Sequence, residues 1–413
     1  MNYQQSKQYI QNCIHFSEVK VAQKKQDFGL ETICFLLEKM GNPSKQLRFV
    51  HVAGTNGKGS FIAYLENILC ADKIKVGAFT SPYLEEYTEM IRMNGQEISQ
   101  EQFAREVSYI QTIIEKENLT VSEYECLVAV ALSFFARENC SLVIWETALG
   151  SDKDVTNVID VPVLTVMMAI GYDHMNVLGQ TLEQITESEC SILKPTTTLL
   201  TTIQKDIVHQ KIQSICQQKE IHWIQTQPVS IVSLENGVLF DYKEMKEIQL
   251  SMHSYTQAQN AATAIEAALF FGIDRKAIYQ GLKQTYWPGR FEIIQKEPLV
   301  ILDGGHNTSC LETFIQDLQQ AYPKTSFHWI VGMYKDKEVQ AMMEKISGIA
   351  KQVHCIQAPS KRACLPETLN QYCSNGIVCT SFDQAMKQTK NQPTVIFGSL
   401  SLVPLAKTYF NKR

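Results

Sequence analysis

Lys58 and Ser60 stand two residues apart in a glycine-rich run, FVHVAGTNGKGS, that spans Phe49 to Ser60. A lysine in such a run supplies a point charge for phosphate oxygens, and a serine hydroxyl supplies a ligand for Mg²⁺. Gly54, Gly57 and Gly59, with Thr55 and Asn56 between them, let backbone N–H groups turn inward around an anion at the start of a helix. The pattern departs from the usual P-loop, because Val52 takes its first glycine position and Gly59 intervenes between Lys58 and Ser60. An ordinary Gly/Asn turn is the bland alternative. Glu146 is the second group with evident chemistry, a carboxylate that follows the apolar run Ser141–Trp145. In a sheet whose first strand bears a P-loop, a carboxylate at a strand end can hold Mg²⁺ on nucleotide phosphates. Arg290, after Trp287-Pro288-Gly289, offers a guanidinium fork to phosphate or carboxylate, although a Pro-Gly pair there also suits a domain hinge.

Strands and helices must alternate to position these groups. Phe49 to Ala53 reads as a buried strand and Phe61 to Cys70 as a helix with Ile62, Leu65, Ile68 and Leu69 on one face. Lys75–Phe79 is the next strand, followed by Ser81 as a helix cap with Pro82 in first helical position. The spacing predicts a helix over Ser122–Asn139 with one apolar side, then the strand before Glu146 and another over Val163–Ala169. Thr181 and Gln184 suit a capping box, Asn236-Gly237 a hairpin turn, and a helix from Tyr255 is expected to be capped at Thr256 and stopped at Gly272. From Leu299 a new strand-helix rhythm begins. The fold class is therefore α/β: a P-loop parallel-sheet ATPase domain over residues 1–295, then a smaller Rossmann-like α/β domain over 296–413.

Length and charge narrow the function. The chain has 413 residues and a formal net charge of −5, with no Lys/Arg run, which disfavours nucleic acid or an anionic membrane as partner. No apolar run reaches the ~18 residues of a membrane span, and the first residues lack a signal-peptide core. Twelve cysteines are scattered without a CxxC pair, as reduced thiols of a cytoplasmic protein would be. A monomer is expected.

The form GTNGKGS is similar to that of the Mur superfamily of ATP-dependent amide ligases. Preceded by EKMGNPSKQLRFVHVA, it resembles the folylpolyglutamate synthase/dihydrofolate synthase family. The resemblance runs on through TSPYL and EMIRMNG, ETALGSDKDVTNV, GYDHMNVLG, Gln257 with Asn260, the Pro-Gly-Arg element, DGGHN, GMYKDKE and FGSL. It implies a Mur ligase-like architecture without the UDP-binding N-terminal domain. It further implies that His174 binds a second Mg²⁺, that Gln257 and Asn260 lie by the adenine, and that Asp303 and His306 attend the nucleotide or activated phosphate. Ser81, Tyr83, Tyr124, Asp152 and Asp154 fall on substrate-facing positions. Tyr83 replaces a histidine, Asp152 an arginine, and Glu189 the lysine that the family carbamylates into a long metal-binding carboxylate. Glutamate is shorter by several bonds, so its oxygens should fall short by a few ångströms at ~1.5 Å per bond. A second metal would be held through water, displaced or absent, and Glu189 could equally be a solvent-facing helix residue.

The implied chemistry is carboxylate activation. ATP and Mg²⁺, held by Ser60 and Glu146, would convert a substrate carboxylate to an acyl phosphate, which an amine then displaces. Lys58, Glu146, His174, Arg290 and His306 are the candidate catalytic groups. L-Glutamate added to dihydropteroate or tetrahydrofolate is the leading expectation. A paralogous ligase for another acid or amine, or a nucleotide-binding protein without catalysis, are the alternatives.

Overall fold

The computed structural model describes residues 1–13, 29–234 and 237–411. Contacts divide the chain into two units, one of Met1–Ile170, His174–Gln227 and Ala261–Leu282, the other of Gly171–Asp173, Pro228–Asn260 and Lys283–Arg413.

The first unit is built on an eight-stranded sheet. Its strands are β1 (Phe49–Ala53), β2 (Val76–Phe79), β3 (Ile91–Met93), β4 (Gln96–Glu97), β5 (Leu142–Glu146), β6 (Leu164–Met167), β7 (Leu199–Thr201) and β8 (Trp223–Gln225), in the order β4-β3-β2-β5-β1-β6-β7-β8. Strands β2, β5, β1, β6, β7 and β8 are parallel, and β3 and β4 add an antiparallel edge. Every residue of β1 is buried, as a parallel strand covered on both faces requires. Register sets Val52 beside Glu146 and Ala53 beside Met167, so β1, β5 and β6 end together, where ligands of such sheets bind. Packing holds that register: Phe79 stacks on Trp145 at 4.5 Å between centroids, and Phe49 meets Trp145 edge-on at 5.8 Å. The helix Glu123–Arg137 lies in the same core and starts at Ser122, whose capping box with Glu125 is complete.

One expected helix start in this unit differs. No helix begins at Ser81-Pro82; the Glu89 carboxylate instead collects the backbone N–H groups of Leu84, Glu85 and Glu86 at 2.7–2.9 Å, which folds the segment into a turn ahead of the short helix Tyr87–Met90. Thr181 does accept from Gln184 N, but the Gln184 amide oxygen takes Gln180 N, so only half the capping box forms.

The second unit holds an antiparallel meander, β9 (Ser230–Ser233), β10 (Val238–Tyr242) and β11 (Met245–Leu250). The expected hairpin forms between β9 and β10, with Asn236 outside the described residues. Its main sheet comprises β12 (Glu292–Lys296), β13 (Leu299–Asp303), β14 (His328–Val331), β15 (Gln352–Cys355), β16 (Gly376–Val378) and β17 (Thr394–Phe397), in the order β12-β13-β17-β14-β15-β16. All neighbours are parallel except β12, an antiparallel edge hairpinned to β13. Phe314, Trp329 and Phe397 pack this sheet against the helix Thr308–Ala321. The helix Tyr255–Phe270 starts two residues earlier than a Thr256 cap allows, because Ser254 Oγ accepts from Gln257 N at 3.3 Å. No helix among the described residues is long and apolar enough to cross a membrane.

Candidate active site

β1 runs straight into the glycine loop, and the helix Lys58–Ala71 leaves it. Thr55 N and Asn56 N both donate to Ala169 O, at 3.0 and 2.9 Å, which ties the loop to the residues after β6. Gly54 sits at φ +116°, and a Cβ there would lie 2.7 Å from Met168 O, so only glycine lets the loop pass so close. The first-turn amides of the helix have no carbonyl a turn behind them and remain for an anion. Lys58 Nζ donates to Gly54 O at 2.6 Å, folded back over the loop. Ser60 is 1% exposed, and its hydroxyl has no hydrogen-bond partner among the described residues. A buried, unsatisfied oxygen at the head of a phosphate loop fits a Mg²⁺ ligand.

Glu146 ends β5 and is buried, its Oε2 accepting from Ser81 N at 2.9 Å. Tyr124 is partly buried with its hydroxyl enclosed; burial raises that hydroxyl far above the usual range, with Asp154 and Glu146 adding and Ser81 opposing. Ser81, Tyr124, Glu146 and Asp154 thus share one neighbourhood. Asp154 spends both oxygens on its own loop, Oδ2 on Leu149 N at 2.6 Å and Oδ1 on Thr156 N at 2.8 Å and Thr156 Oγ1 at 2.5 Å. Its immediate work is to shape the loop. Asp152 is exposed and contributes its carbonyl to Asn157 Nδ2. Tyr83 is partly exposed and tilts against Tyr87 at 4.7 Å.

Glu189 is not a solvent-facing residue. It is 3% exposed at the end of the helix Leu182–Glu189, and its Oε2 accepts from Gly54 N at 3.1 Å. A Cβ on Gly150, at φ +56°, would fall on the same carboxylate. Burial pushes Glu189 up to about 7, with Lys58 and the Gly54 amide opposing and Asp154 adding. The short acid therefore reaches the P-loop itself. His174, by contrast, is exposed in a left-handed turn. Among the described residues no three His, Cys, Asp or Glu side chains gather as a metal cluster, so Glu146, His174 and Glu189 do not form one.

The second unit carries its own polar cluster. Asp303 ends β13 and accepts from Phe291 N and Gly305 N at 2.8 and 2.7 Å. Burial holds its carboxyl above the ordinary range, against the pull of Arg290, those two amides and His306. His306 Nδ1 faces Gly304 O at 3.1 Å, and Nε2 lies 3.6 Å from Asp173. Asp173 also pairs with Lys337 at 2.7 Å, both about nine-tenths buried, and accepts from Asn307 Nδ2 at 3.0 Å. Gln257 and Asn260 are buried, and Gln257 Oε1 has no partner among the described residues. Sequence reasoning assigned no role to Asp173, Asn307 or Lys337, although all three stand inside motifs that carried the resemblance.

A parallel sheet whose central strand opens into a Lys/Ser glycine loop, with an acid at the end of the adjoining strand, defines a P-loop protein built to handle Mg²⁺-nucleotide phosphates. Residues 289–398 match the family described as Mur ligase, glutamate ligase domain. A dihydrofolate synthase/folylpolyglutamate synthase of Bacillus subtilis is 31% identical over 403 residues, covering 91% of this chain and 93% of the relative. Its Escherichia coli namesake is 30% identical over 386 residues, covering 90% and 89%. A crystal structure of folylpolyglutamate synthase from Thermotoga maritima superposes with a TM-score of 0.83 at 28% identity, over 99% of this chain and 96% of that one. The chain belongs to the folylpolyglutamate synthase/dihydrofolate synthase family.

Proposed function

We propose that this chain is an ATP-dependent ligase that joins L-glutamate through its amino group to a carboxylate of dihydropteroate, of tetrahydrofolate, or of both. The buried, unpartnered Ser60 hydroxyl at the head of the P-loop helix carries the nucleotide half of this reading. Family membership supports the choice of acid and amine. Ser60 and Glu146 would hold Mg²⁺, which supplies charge neutralisation on the phosphates when bound.

Lys58 and the first-turn amides bind and orient the transferred phosphate, so that a substrate carboxylate meets it in line and the developing charge is met by fixed donors. The acyl phosphate that results is displaced by the amine, giving amide, ADP and phosphate. Ser81, Tyr83, Tyr124, Asp152 and Asp154 are proposed on the acid side. Arg290, Asp303, His306, Gln257 and Asn260 are proposed to serve the nucleotide, and Glu189 to brace the glycine loop through the Gly54 amide. The boundary expected at 295/296 falls inside β12, so the second domain is proposed to begin by Lys283, and a cytoplasmic monomer is the proposed state.

The test is ADP release with Mg²⁺-ATP and glutamate, comparing dihydropteroate, tetrahydrofolate and no acid, with product masses read alongside. Acid-dependent turnover and a product heavier by one glutamyl unit are expected. Lys58→Ala should lower turnover by at least about 100-fold, the order seen when one transition-state donor is removed. ATP binding without folate-dependent turnover would instead favour a paralogue acting on another acid.

A further inference from the structure

One cavity in the second unit belongs to none of the machinery above. It measures about 590 Å³ and lies between the end of β11, the start of β13 and the ends of two helices. That volume is in the range of small-molecule pockets. Lys283, Lys296 and His253 line it together with Tyr322, over apolar surface from Ile293 and Leu299, and no acid is among its lining residues.

The charge there is uncompensated. Neither the Lys283 nor the Lys296 ammonium makes an ion pair or hydrogen bond with any described residue, in contrast to Lys337, which is paired at 2.7 Å. His253 feels the crowding: burial, then the neighbouring Lys296, lowers its affinity for a proton. Two such lysines lining one concave, partly apolar cavity raise the local potential and favour an anion. The cavity is also set apart from Asp303 and His306. The helix Thr308–Ala321 has 14 residues, with Asn307 capping one end and Tyr322 the other. At 1.5 Å per residue it separates the two ends by about 21 Å. Leu299 and Asp303 likewise stand at opposite ends of β13.

From this geometry we infer that the cavity is a binding site for a small organic anion, a carboxylate or phosphate monoester carried on a compact apolar body. The lysines take the charge, Tyr322 and His253 offer hydrogen bonds, and Ile293 and Leu299 take the body.

The full chain without nucleotide would be titrated with phenyl phosphate, benzoate and inorganic phosphate, following heat and ligand-observed NMR. Parent, Lys58→Ala and Lys283→Gln/Lys296→Gln proteins would be compared. Parent and Lys58→Ala should bind an organic anion alike, and the double variant should bind it at least about tenfold more weakly with an unchanged melting temperature. The tighter of phenyl phosphate and benzoate tells phosphate from carboxylate. Should the double variant fail to fold, each single variant is expected to weaken binding by about threefold or more. The proposal is overturned if no organic anion binds at millimolar concentration, if inorganic phosphate binds as tightly as phenyl phosphate, or if the loss follows Lys58→Ala rather than the two lysines.

Discussion

Glu189 shows how a single buried carboxyl links stability to pH. Burial raises it from the ordinary carboxylate range to about 7 in the folded chain. A raised pKa means the folded state binds the proton more tightly than the unfolded state does. The associated stabilisation is full below the unfolded value and is lost as pH rises through about 7. In metal-free buffer, the melting temperature of the parent should therefore decline between pH 5 and pH 8 more than that of Glu189→Gln. A glutamine keeps an oxygen for Gly54 N yet carries no charge to desolvate, and the difference should be a few degrees, on the scale of about 2–4 °C per kcal/mol. Parallel pH profiles for the two proteins would remove this account of Glu189.

Arg92 illustrates what the elements around the site depend on. Its Nε meets Glu66 at 3.0 Å, its Nη1 meets Thr80 Oγ1 at 2.8 Å, and Glu66 also accepts from Gly95 N, joining the P-loop helix to the end of β2 and to the β3-β4 turn. Both side chains are nine-tenths buried or more. Arg92→Ala leaves the Glu66 charge stranded, and urea unfolding should register a loss of about 3–5 kcal/mol, most of it recovered by Arg92→Met with Glu66→Leu. Sequence reasoning saw Arg92 only as a motif match. The P-loop itself was legible because its glycines, lysine and serine must be consecutive to make their geometry. Contacts that bridge long stretches were not: Ser81 to Glu146 spans 65 positions, Gly54 to Glu189 135, and Lys337 to Asp173 164. Helix starts failed where a side chain won the backbone N–H groups first, as Glu89 does after Pro82.

Over the molecule as a whole, neither unit is one continuous stretch of chain. The second draws in the meander of residues 228–260, tied to the later segment by Thr256 N to Asp317 at 3.4 Å and Ser251 Oγ to Thr285 O at 2.5 Å. A fragment of residues 228–413 should consequently melt cooperatively and at higher temperature than one of residues 283–413, as followed by circular dichroism. Equal melting of the two would mean that the meander adds nothing to that unit's stability.

The bonds from Thr55 and Asn56 to Ala169 O divide the glycine loop by solvent lability. Those two amides are locked before any nucleotide arrives, whereas the amides from Gly57 to Ser60 lie ahead of the first helical carbonyl partner. Deuterium should enter the second set quickly and the first slowly in the free protein. Adding ATP should slow exchange from Gly57 to Ser60 and leave Thr55 and Asn56 as they were, so the isotope clock reads phosphate capture at individual peptide bonds without turnover.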